Sequence, residues 1–361
     1  MPDAMNESDI LIERRGGLVV VTLNRPRALN ALTLEMCRRI ERGLREWRHD
    51  PAVHAVIIKG SGERAFCAGG DIRWLYEVLT TEGPDRALEF YAVEYPMNAR
   101  LHHFPKPWLA LIDGITMGGG VGVSVHGSHR IATERTIFAM PETGIGFFPD
   151  VGGTYFLPRL PGQMGMYLGL TGARLGAADC VHAGVATHFV PSDSLDELEA
   201  ALAAADPAGD AFAAVDAVLD RFTADPGAPG LAGQQQCIDL CFRQPSLDAI
   251  LEALAAEPTG WGAAQLEVLR TKSPTSLAVT FRQLREGAHL DMDDAMRLEY
   301  RLVHRFMAGH DFREGVRALI IDKDNRPNWQ PARLEDVTAA AVDAYFAPLP
   351  DGELDLTGVS D

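Results

Sequence analysis

The sequence predicts an α/β fold followed by a mostly helical C-terminal region. Short β-rich runs alternate with helical stretches through the first half of the chain, which is the pattern of a parallel α/β architecture. From about residue 192 the composition becomes rich in alanine and the pattern is mostly helical up to about residue 346. We therefore expect a core over residues 1–191 that contains the catalytic site, and a helical region over 192–361 that covers or flanks it.

The strands of the first half can be placed from their β-branched and apolar runs. LVVVTL (18–23) and HAVIIKG (54–60) are two strands, and WLALIDGITMGGG (108–120) is a strand followed by a glycine turn. RIA and TIFAMPE supply short strands, and THFVP (187–191) is the last one of this half. A helical pattern begins at Asn30. A second helical stretch, DRALEFYAVEYPMNARLHHF, contains Pro96, which we expect to kink or break it.

Composition and charge limit the possible functions. The 361 residues are 47% hydrophobic and 23% charged, which is enough to bury a large core. The formal charge of −17, from 33 basic and 50 acidic residues, argues against nucleic acid or an anionic membrane as the main partner. Any polyanionic ligand must then be held by a local group of residues.

The cysteines and the N-terminus bear on the compartment. The five cysteines are odd in number and have no paired metal-ligand spacing, which favours a reduced, cytoplasmic chain. The first residues lack a basic start followed by an apolar stretch, and no segment has about 18 consecutive apolar residues. We expect the protein to be neither exported nor anchored.

Two glycine runs follow predicted strands. In CAGGD (67–71) and MGGGVG (117–122), consecutive glycines let the backbone turn tightly and present bare N–H groups to a ligand. Two such loops could each aim one N–H at a carbonyl oxygen and so form an oxyanion hole. The alternative is that the glycines only permit tight turns or close packing. Neither run fits the G-x-G-x-x-G pattern of a dinucleotide site.

Two acids stand in apolar, glycine-rich surroundings. Glu142 and Asp150 each follow a proline within AMPETGIGFFPDVGGTYFLPR. Carboxylates in such a setting are costly unless they are paired or used in chemistry, so catalysis is one interpretation and a structural cap or salt bridge is the other. His126 and His129 have no supporting acid or cysteine spacing, so no metal site is expected, and no G-x-S-x-G serine motif accompanies the glycine loops.

Several of these segments together resemble a known family. RAFCAGGDI, NRPRALNAL and ITMGGGVGVSVHGSHRIATERTIFAMPETGIGFFPDVGGTYFLPRL are similar to the crotonase (enoyl-CoA hydratase/isomerase) superfamily. Within it, the chain most resembles the 3-hydroxyisobutyryl-CoA hydrolase family, over about residues 10–190 and more loosely through 272–284 and 315–331. The resemblance implies a ClpP-like spiral of ββα turns and a coenzyme A thioester as substrate, with coenzyme A present only as part of that substrate and no separate cofactor.

The resemblance also implies roles for particular residues. The oxyanion hole would use the N–H groups of Gly70 and Gly119, and Glu142 and Asp150 would be catalytic. The adenine end of coenzyme A would lie against the loop formed by Ala68, Gly69, Asp71 and Ile72.

A third acid and one glycine carry further implications. Glu94 aligns with a family glutamate that contacts the substrate, although a lone glutamate on a helix usually faces solvent.

Enoyl-CoA hydratases have a second catalytic glutamate two positions after the glycine triplet, where this chain has Gly122. Hydration needs both a base and an acid, so its absence disfavours hydratase chemistry.

The resulting hypothesis is hydrolysis of 3-hydroxyisobutyryl-CoA or a close β-hydroxyacyl-CoA, in the manner of valine degradation. A thiol of pKa about 8.5 leaves readily, so an activated nucleophile and an oxyanion hole suffice. Glu142 could act as a general base on water or attack the carbonyl itself, and Asp150 could orient the water, bind the substrate's hydroxyl or tune Glu142 through like-charge proximity. The alternatives are a hydratase or isomerase of the same fold, and a non-catalytic acyl-CoA binder. Homo-oligomers are common in the family, and the divergent C-terminal half leaves that state open.

Overall fold

The computed structural model describes residues 9–207, 209–350 and 352–361, and the strands within these ranges form two sheets. The strands are β1 (Ile10–Arg15), β2 (Leu18–Leu23), β3 (Ala55–Gly60), β4 (Ala65–Cys67), β5 (Trp108–Ile112), β6 (Ile115–Met117), β7 (His129–Ala132), β8 (Ile137–Ala139) and β9 (His188–Phe189). The large sheet has the order β1-β2-β3-β5-β7-β9, with only β1 antiparallel to its neighbour. The small sheet has the order β4-β6-β8 and is parallel.

The path of the chain between the sheets is a spiral. β3, β5 and β7 lie in the large sheet, whereas β4, β6 and β8, each the next strand along the chain, lie in the small one. Helices separate these strand pairs, so every turn of the chain adds one strand to each sheet before it returns. This arrangement confirms the α/β fold with ββα turns that the sequence predicts.

The helices follow the expected distribution, with most of them after residue 192. They are α1 (Leu34–His49), α2 (Ile72–Thr81), α3 (Pro84–His102), α4 (Gly119–Gly122), α5 (Gly153–Phe156), α6 (Met164–Thr171), α7 (Ala177–His182), α8 (Leu195–Ala204), α9 (Ala211–Phe222), α10 (Gln235–Phe242), α11 (Leu247–Ala256), α12 (Trp261–Arg270), α13 (Pro274–Gly287), α14 (Met292–Ala308), α15 (Asp311–Val316) and α16 (Ala339–Phe346). Short 3₁₀ turns and one π-helical turn, Arg317–Ile321, connect several of them.

Both faces of the large sheet are covered, which explains the nearly continuous apolar run of β2. Val19 and Val21 join a large core that extends to the C-terminal helices, while Leu18 and Val20 pack with α8 and α9 on the other face. The large core contains side chains from Ile10 to Val359, so the spiral and the C-terminal helices share it. The division of the chain near residue 191 stays a prediction.

Three local expectations differ from the structure. Helix α1 begins at Leu34 rather than at Asn30, because the hydroxyl of Thr33 caps it by accepting a hydrogen bond from the Met36 N–H. The single strand expected over 108–120 is two strands, since Gly114 (φ 90°) turns the chain from the large sheet to the small one. Pro96 does not end α3, which packs on α1 and α14 and continues to His102.

No helix in the described ranges has the length and apolar character needed to cross a membrane.

Candidate active site

Two glycine loops lie side by side at the ends of neighbouring strands. β4 and β6 pair in parallel, so the loops that follow them meet at one edge of the small sheet. Gly69 (φ 120°) and Gly118 (φ 49°) adopt backbone conformations that other residues rarely adopt. A Cβ built on Gly119 would lie 3.2 Å from the backbone nitrogen of Gly70. The N–H groups of Gly70 and Gly119 are therefore neighbours, and no backbone carbonyl of the described residues accepts a hydrogen bond from either.

Glu142 follows the third strand of the small sheet. It begins a 3₁₀ turn, Glu142–Ile145, and its side chain is buried. Its Oε1 lies 3.6 Å from the position that a Cβ on Gly118 would take. Its Oε2 has no hydrogen-bond partner among the described residues. The carboxyl group therefore faces the second glycine loop and retains an unsatisfied oxygen.

Asp150 is also buried and has one direct partner. Its Oδ2 accepts a hydrogen bond of 2.9 Å from the hydroxyl of Tyr95 on α3. Among the described residues, no basic side chain lies within salt-bridge distance of Glu142 or Asp150. Neither carboxylate caps a helix. The structural interpretation of these two acids, as caps or ion-pair partners, therefore finds no support.

Glu94 lies inside the protein and not on a solvated helix face. Only 2% of its surface is exposed, and its Oε1 has no hydrogen-bond partner in the described part of the chain. This oxygen is 2.7 Å from the position that a Cβ on Gly119 would occupy. The third acid of the sequence analysis thus lies beside the second glycine loop, on the helix that also carries Tyr95.

One cavity of about 220 Å³ joins these features. Its lining includes eight of the nine residues that the sequence nominates: Ala68, Gly69, Gly70, Ile72, Glu94, Gly119, Glu142 and Asp150. The remaining wall is apolar and includes Leu75, Phe90, Tyr91, Met117, Pro141, Ile145, Phe147 and Ile320. The ninth nominated residue, Asp71, is outside the lining. Its carboxylate accepts a hydrogen bond from Trp74 N–H at the start of α2 and pairs with Arg25 at 2.9 Å.

The electrostatics of the cavity are dominated by buried acids. Burial, and then the charge of Asp150, raise the pKa values of Glu142 and Glu94 well above the ordinary range. Burial raises the pKa of Asp150 to about 7, against the lowering effect of the Tyr95 hydrogen bond. Glu299, on α14, has a pKa raised to about 8 by burial and by Asp150. These acids cannot all be ionised together at neutral pH without a large energetic cost.

Lys272 is a nearby basic group. Its Nζ lies 3.4 Å from the position of a Cβ on Gly144, which is two residues after Glu142. Its positive charge lowers the pKa of Glu142, and burial lowers the pKa of Lys272 itself. The backbone N–H of the next residue, Ser273, donates to the carbonyl of Thr143 at 3.1 Å. The segment before α13 therefore braces the turn that carries Glu142.

Gly122 has no room for a side chain. A Cβ at this position would lie 2.7 Å from Nδ2 of Asn98 and 2.8 Å from Cβ of Val151. Contacts this short require a neighbour to move. Position 122 therefore has no carboxylate in the sequence and no space for one in the fold, because neighbouring atoms fill it.

Sequence reasoning missed Tyr95, Lys272, Glu299 and Ile320. Glu299 had a usable signal, because it lies on the apolar face of α14 with Met296, Leu302 and Val303. An acid at that position of an amphipathic helix is unusual and indicates a specific buried partner. Tyr95, Lys272 and Ile320 have no comparable pattern, since only the folded chain brings them to the cavity.

The histidines and cysteines have structural surroundings. Nε2 of His126 lies 2.7 Å from the carbonyl of Val151, and Nε2 of His129 lies 3.0 Å from Asp216. No group of three or more His, Cys, Asp or Glu side chains in the described ranges could hold a metal ion. Burial raises the pKa of the Cys67 thiol to about 12, so it is not a reactive thiolate.

Comparisons with known proteins agree with this architecture. The family model for enoyl-CoA hydratase/isomerase matches residues 18–346. The chain is 47% identical over 352 residues to 3-hydroxyisobutyryl-CoA hydrolase, mitochondrial, of Danio rerio, which covers 97% of this chain and 92% of that one. It is 45% identical over 352 residues to the Homo sapiens protein of the same name, covering 96% and 90% of the two chains.

Solved structures give the same fold. A carnitinyl-CoA dehydratase from Mycobacterium thermoresistibile superposes with a TM-score of 0.90 at 42% identity, over 98% of this chain and 100% of that one. An enoyl-CoA hydratase from Rhodobacter sphaeroides superposes with a TM-score of 0.87 at 42% identity, over 96% and 100%. The chain therefore belongs to the enoyl-CoA hydratase/isomerase family, the crotonase superfamily.

Proposed function

We infer that this protein hydrolyses the thioester bond of 3-hydroxyisobutyryl-CoA, releasing 3-hydroxyisobutyrate and coenzyme A. The observation that carries this proposal is that buried Glu142 and Asp150 line one cavity with the two glycine loops, while Asn98 and Val151 fill the space beside position 122. The relatives named 3-hydroxyisobutyryl-CoA hydrolase, at 45% and 47% identity over nearly the whole chain, support the choice of substrate.

The proposed mechanism places the thioester carbonyl oxygen against the N–H groups of Gly70 and Gly119. These two donors would stabilise the negative charge that develops on that oxygen, an effect of about 3–4 kcal/mol per donor. The cavity volume of about 220 Å³ suits a short acyl group. Glu94 borders the same cavity and offers an acceptor for a hydroxyl on the acyl chain, and Asp150, which also borders it, would orient the attacking water.

Two routes are open to Glu142. As a general base it would take a proton from water while the water oxygen attacks the carbonyl carbon, and the thiolate of coenzyme A would leave as the tetrahedral intermediate collapses. As a nucleophile its carboxylate oxygen would attack instead, expel the thiolate and form a mixed anhydride, which water would then open to the acid and the free carboxylate. A single turnover in ¹⁸O-water with excess enzyme tests the anhydride route, because opening of an anhydride by water at the enzyme carbonyl labels the peptide that contains Glu142, whereas general-base attack labels only the released acid.

A hydratase is the second candidate, since the two solved structures at 42% identity are described as a dehydratase and a hydratase. Against it, the carboxylate that hydration requires at position 122 is absent, and a Cβ there would lie 2.7 Å from Asn98. A non-catalytic acyl-CoA binder is the third candidate. It offers no reason to keep Glu142 buried with one oxygen unsatisfied.

The test compares two reactions on one preparation. Thiol release is followed from 3-hydroxyisobutyryl-CoA, 3-hydroxypropionyl-CoA and 3-hydroxybutyryl-CoA, and loss of enoyl absorbance is followed from crotonyl-CoA. We expect thiol release to be fastest from 3-hydroxyisobutyryl-CoA, with little change in crotonyl-CoA. Loss of enoyl absorbance without thiol release would favour the hydratase. Tight binding of the esters with neither reaction would favour the binder.

The cytoplasm stays our prediction for the compartment, although the Danio rerio and Homo sapiens relatives are named mitochondrial. All five cysteines are free thiols, which fits any reducing compartment. Subcellular fractionation of cells that express the full chain distinguishes the cytoplasm from the mitochondrion. Homo-oligomer formation is likewise a prediction, which sedimentation analysis tests.

A further inference from the structure

The backbone beside Asp150 adopts an unfavourable conformation. Val151 has φ 52°. A β-branched residue rarely takes this left-handed region, and such strain persists only where the surroundings impose it. Gly152 follows with φ 86°, and a Cβ there would lie 2.2 Å from Nε2 of His126. The turn after Asp150 is therefore held in place by its neighbours and not by its own preference.

Three buried side chains supply that restraint. The amide of Gln283, on α13, donates to the carbonyl of Pro149 at 2.7 Å, and Nε2 of His126 lies 2.7 Å from the carbonyl of Val151. The two carboxylate oxygens of Glu299, on α14, accept the N–H groups of Gly152 and Thr154 at 2.9 Å each. Peptide groups on both sides of Asp150 are thus fixed by side chains distant in sequence.

Glu299 is a buried acid, which indicates a role other than stabilising the folded state. It is completely buried, and burial and then the charge of Asp150 raise its pKa to about 8. A buried acid beside a second buried acid is a poor choice if the only requirement is a stable core, because the ionised form of either one is costly there. A carboxylate can, however, accept two N–H groups at fixed positions, which a single apolar side chain cannot do.

We propose that Gln283, Glu299 and His126 are positioning residues whose hydrogen bonds to the backbone of residues 149–154 aim the carboxylate of Asp150 into the acyl cavity. Two of them belong to the C-terminal helices, so that region completes the site that the spiral provides. This inference rests on the proposed hydrolase function, and it deepens that function by adding residues that do not touch the substrate.

The first test is a pair of substitutions with a matched control. Gln283→Met removes the donor to Pro149 at similar volume, and Glu299→Gln leaves an amide that can accept only one of the two N–H groups. We expect kcat for thiol release to fall by about tenfold to a hundredfold, with KM changed by less than about threefold, because misplacing a catalytic group acts on the chemical step. The control is Glu199→Gln, a buried carboxylate of α8 paired with Arg15 and Lys59, for which kcat should not change.

The second test asks whether these residues act through Asp150. Each substitution is repeated in an Asp150→Asn background as a double-mutant cycle. We expect the further loss of kcat to be under about threefold there, since the group to be positioned is already gone. The same loss in both backgrounds, or an unchanged kcat in both single variants, would overturn the proposal.

Failure to fold has a defined meaning in this design. Circular dichroism and thermal melting establish which variants fold, and Gln283→Met alone carries the test if Glu299→Gln does not fold. If neither folds, the contacts serve the fold and the proposal is wrong. A wild-type protein that releases no thiol would instead refute the proposed function, and this inference with it, before any variant is compared.

Discussion

The hydroxyl of Tyr95 donates a 2.9 Å hydrogen bond to Oδ2 of Asp150, which lines the cavity of the candidate active site. This bond joins α3, which also carries Glu94, to the turn that follows the two glycine loops. It opposes the effect of burial, which raises the pKa of Asp150 to about 7. The Tyr95 hydroxyl, together with a backbone hydrogen bond, therefore favours the ionised state of Asp150 near neutral pH.

Tyr95→Phe should move the pH dependence of hydrolysis. Without the hydroxyl, the pKa of Asp150 rises further, so a smaller fraction is ionised at pH 7 and the acidic limb of the kcat profile shifts to higher pH. We expect kcat to fall several-fold at pH 7 and to recover partly at pH 9. The measurement is a profile of kcat from pH 5 to 9. The control is Tyr167→Phe, a buried tyrosine packed against Phe242 and Trp261, whose profile should match wild type.

Lys272→Met should also move the acidic limb of the kcat profile to higher pH, in this case through Glu142. Glu142 must be ionised to serve as a base or nucleophile, so activity is present above its pKa and lost below it. Since the charge of Lys272 lowers that pKa, its removal raises the pKa and moves the acidic limb of kcat to higher pH. Lys272→Arg keeps the charge and should restore most of the shift. A limb that stays in place in the methionine variant would show that Lys272 does not act on Glu142.

The second glycine loop should not tolerate even one methyl group at position 119. In Gly119→Ala the Cβ would lie 2.7 Å from Oε1 of Glu94 and 3.2 Å from the nitrogen of Gly70, which crowds the space for the thioester oxygen. The N–H of residue 119 remains in the variant, but the methyl group would hold the thioester oxygen away from it, so we expect kcat to fall by up to the factor of about 10²–10³ that loss of one oxyanion donor causes. The control is Gly176→Ala, whose Cβ meets no atom within 4 Å. Equal kcat values in the two variants would remove Gly119 from the oxyanion hole.

Asp150→Asn should stabilise the fold above neutral pH while it lowers activity. The pKa of Asp150 is about 7 in the folded protein and near 3.8 when unfolded, so the folded state binds more protons between these values and stability falls as pH rises through them. Asparagine removes that penalty. We expect the melting temperature to rise by a few degrees at pH 8 and by less at pH 5, where only part of this penalty has built up. A lower melting temperature at pH 8 would contradict the assigned burial of its charge.

The sequence predicts the elements that local patterns specify better than the places where segments distant in sequence pack together. Strand β2 has the predicted bounds because its apolar run is buried on both faces, and the glycine loops follow β4 and β6 because local motifs specify them. The start of α1 and the continuity of α3 through Pro96 depend on the Thr33 cap and on packing against α1 and α14, which single-sequence periodicity does not reveal.

The residues of the candidate site also fall into two groups, those that a local motif predicts and those that only tertiary packing brings to the cavity. Glu142 and Asp150 stand in a recognisable motif, whereas Tyr95 and Lys272 reach the cavity only through tertiary contacts. Asp71 is a different case, since the resemblance implies that the loop backbone contacts coenzyme A, which stays a prediction, while its carboxylate caps α2 and pairs with Arg25. A motif fixes which residues neighbour each other along the chain, and the packing of α3, α13 and α14 decides which side chains meet.

The most direct measurement is the rate of thiol release from 3-hydroxyisobutyryl-CoA by the wild-type protein and its Glu142→Gln variant, both shown to bind the ester. Loss of a general base typically lowers the rate by about 10²–10⁴. We predict rapid release by wild type and a loss of at least that size in the variant, with the affinity for the ester retained. Equal release by both proteins would contradict the assignment of Glu142 as the group that activates water or attacks the thioester.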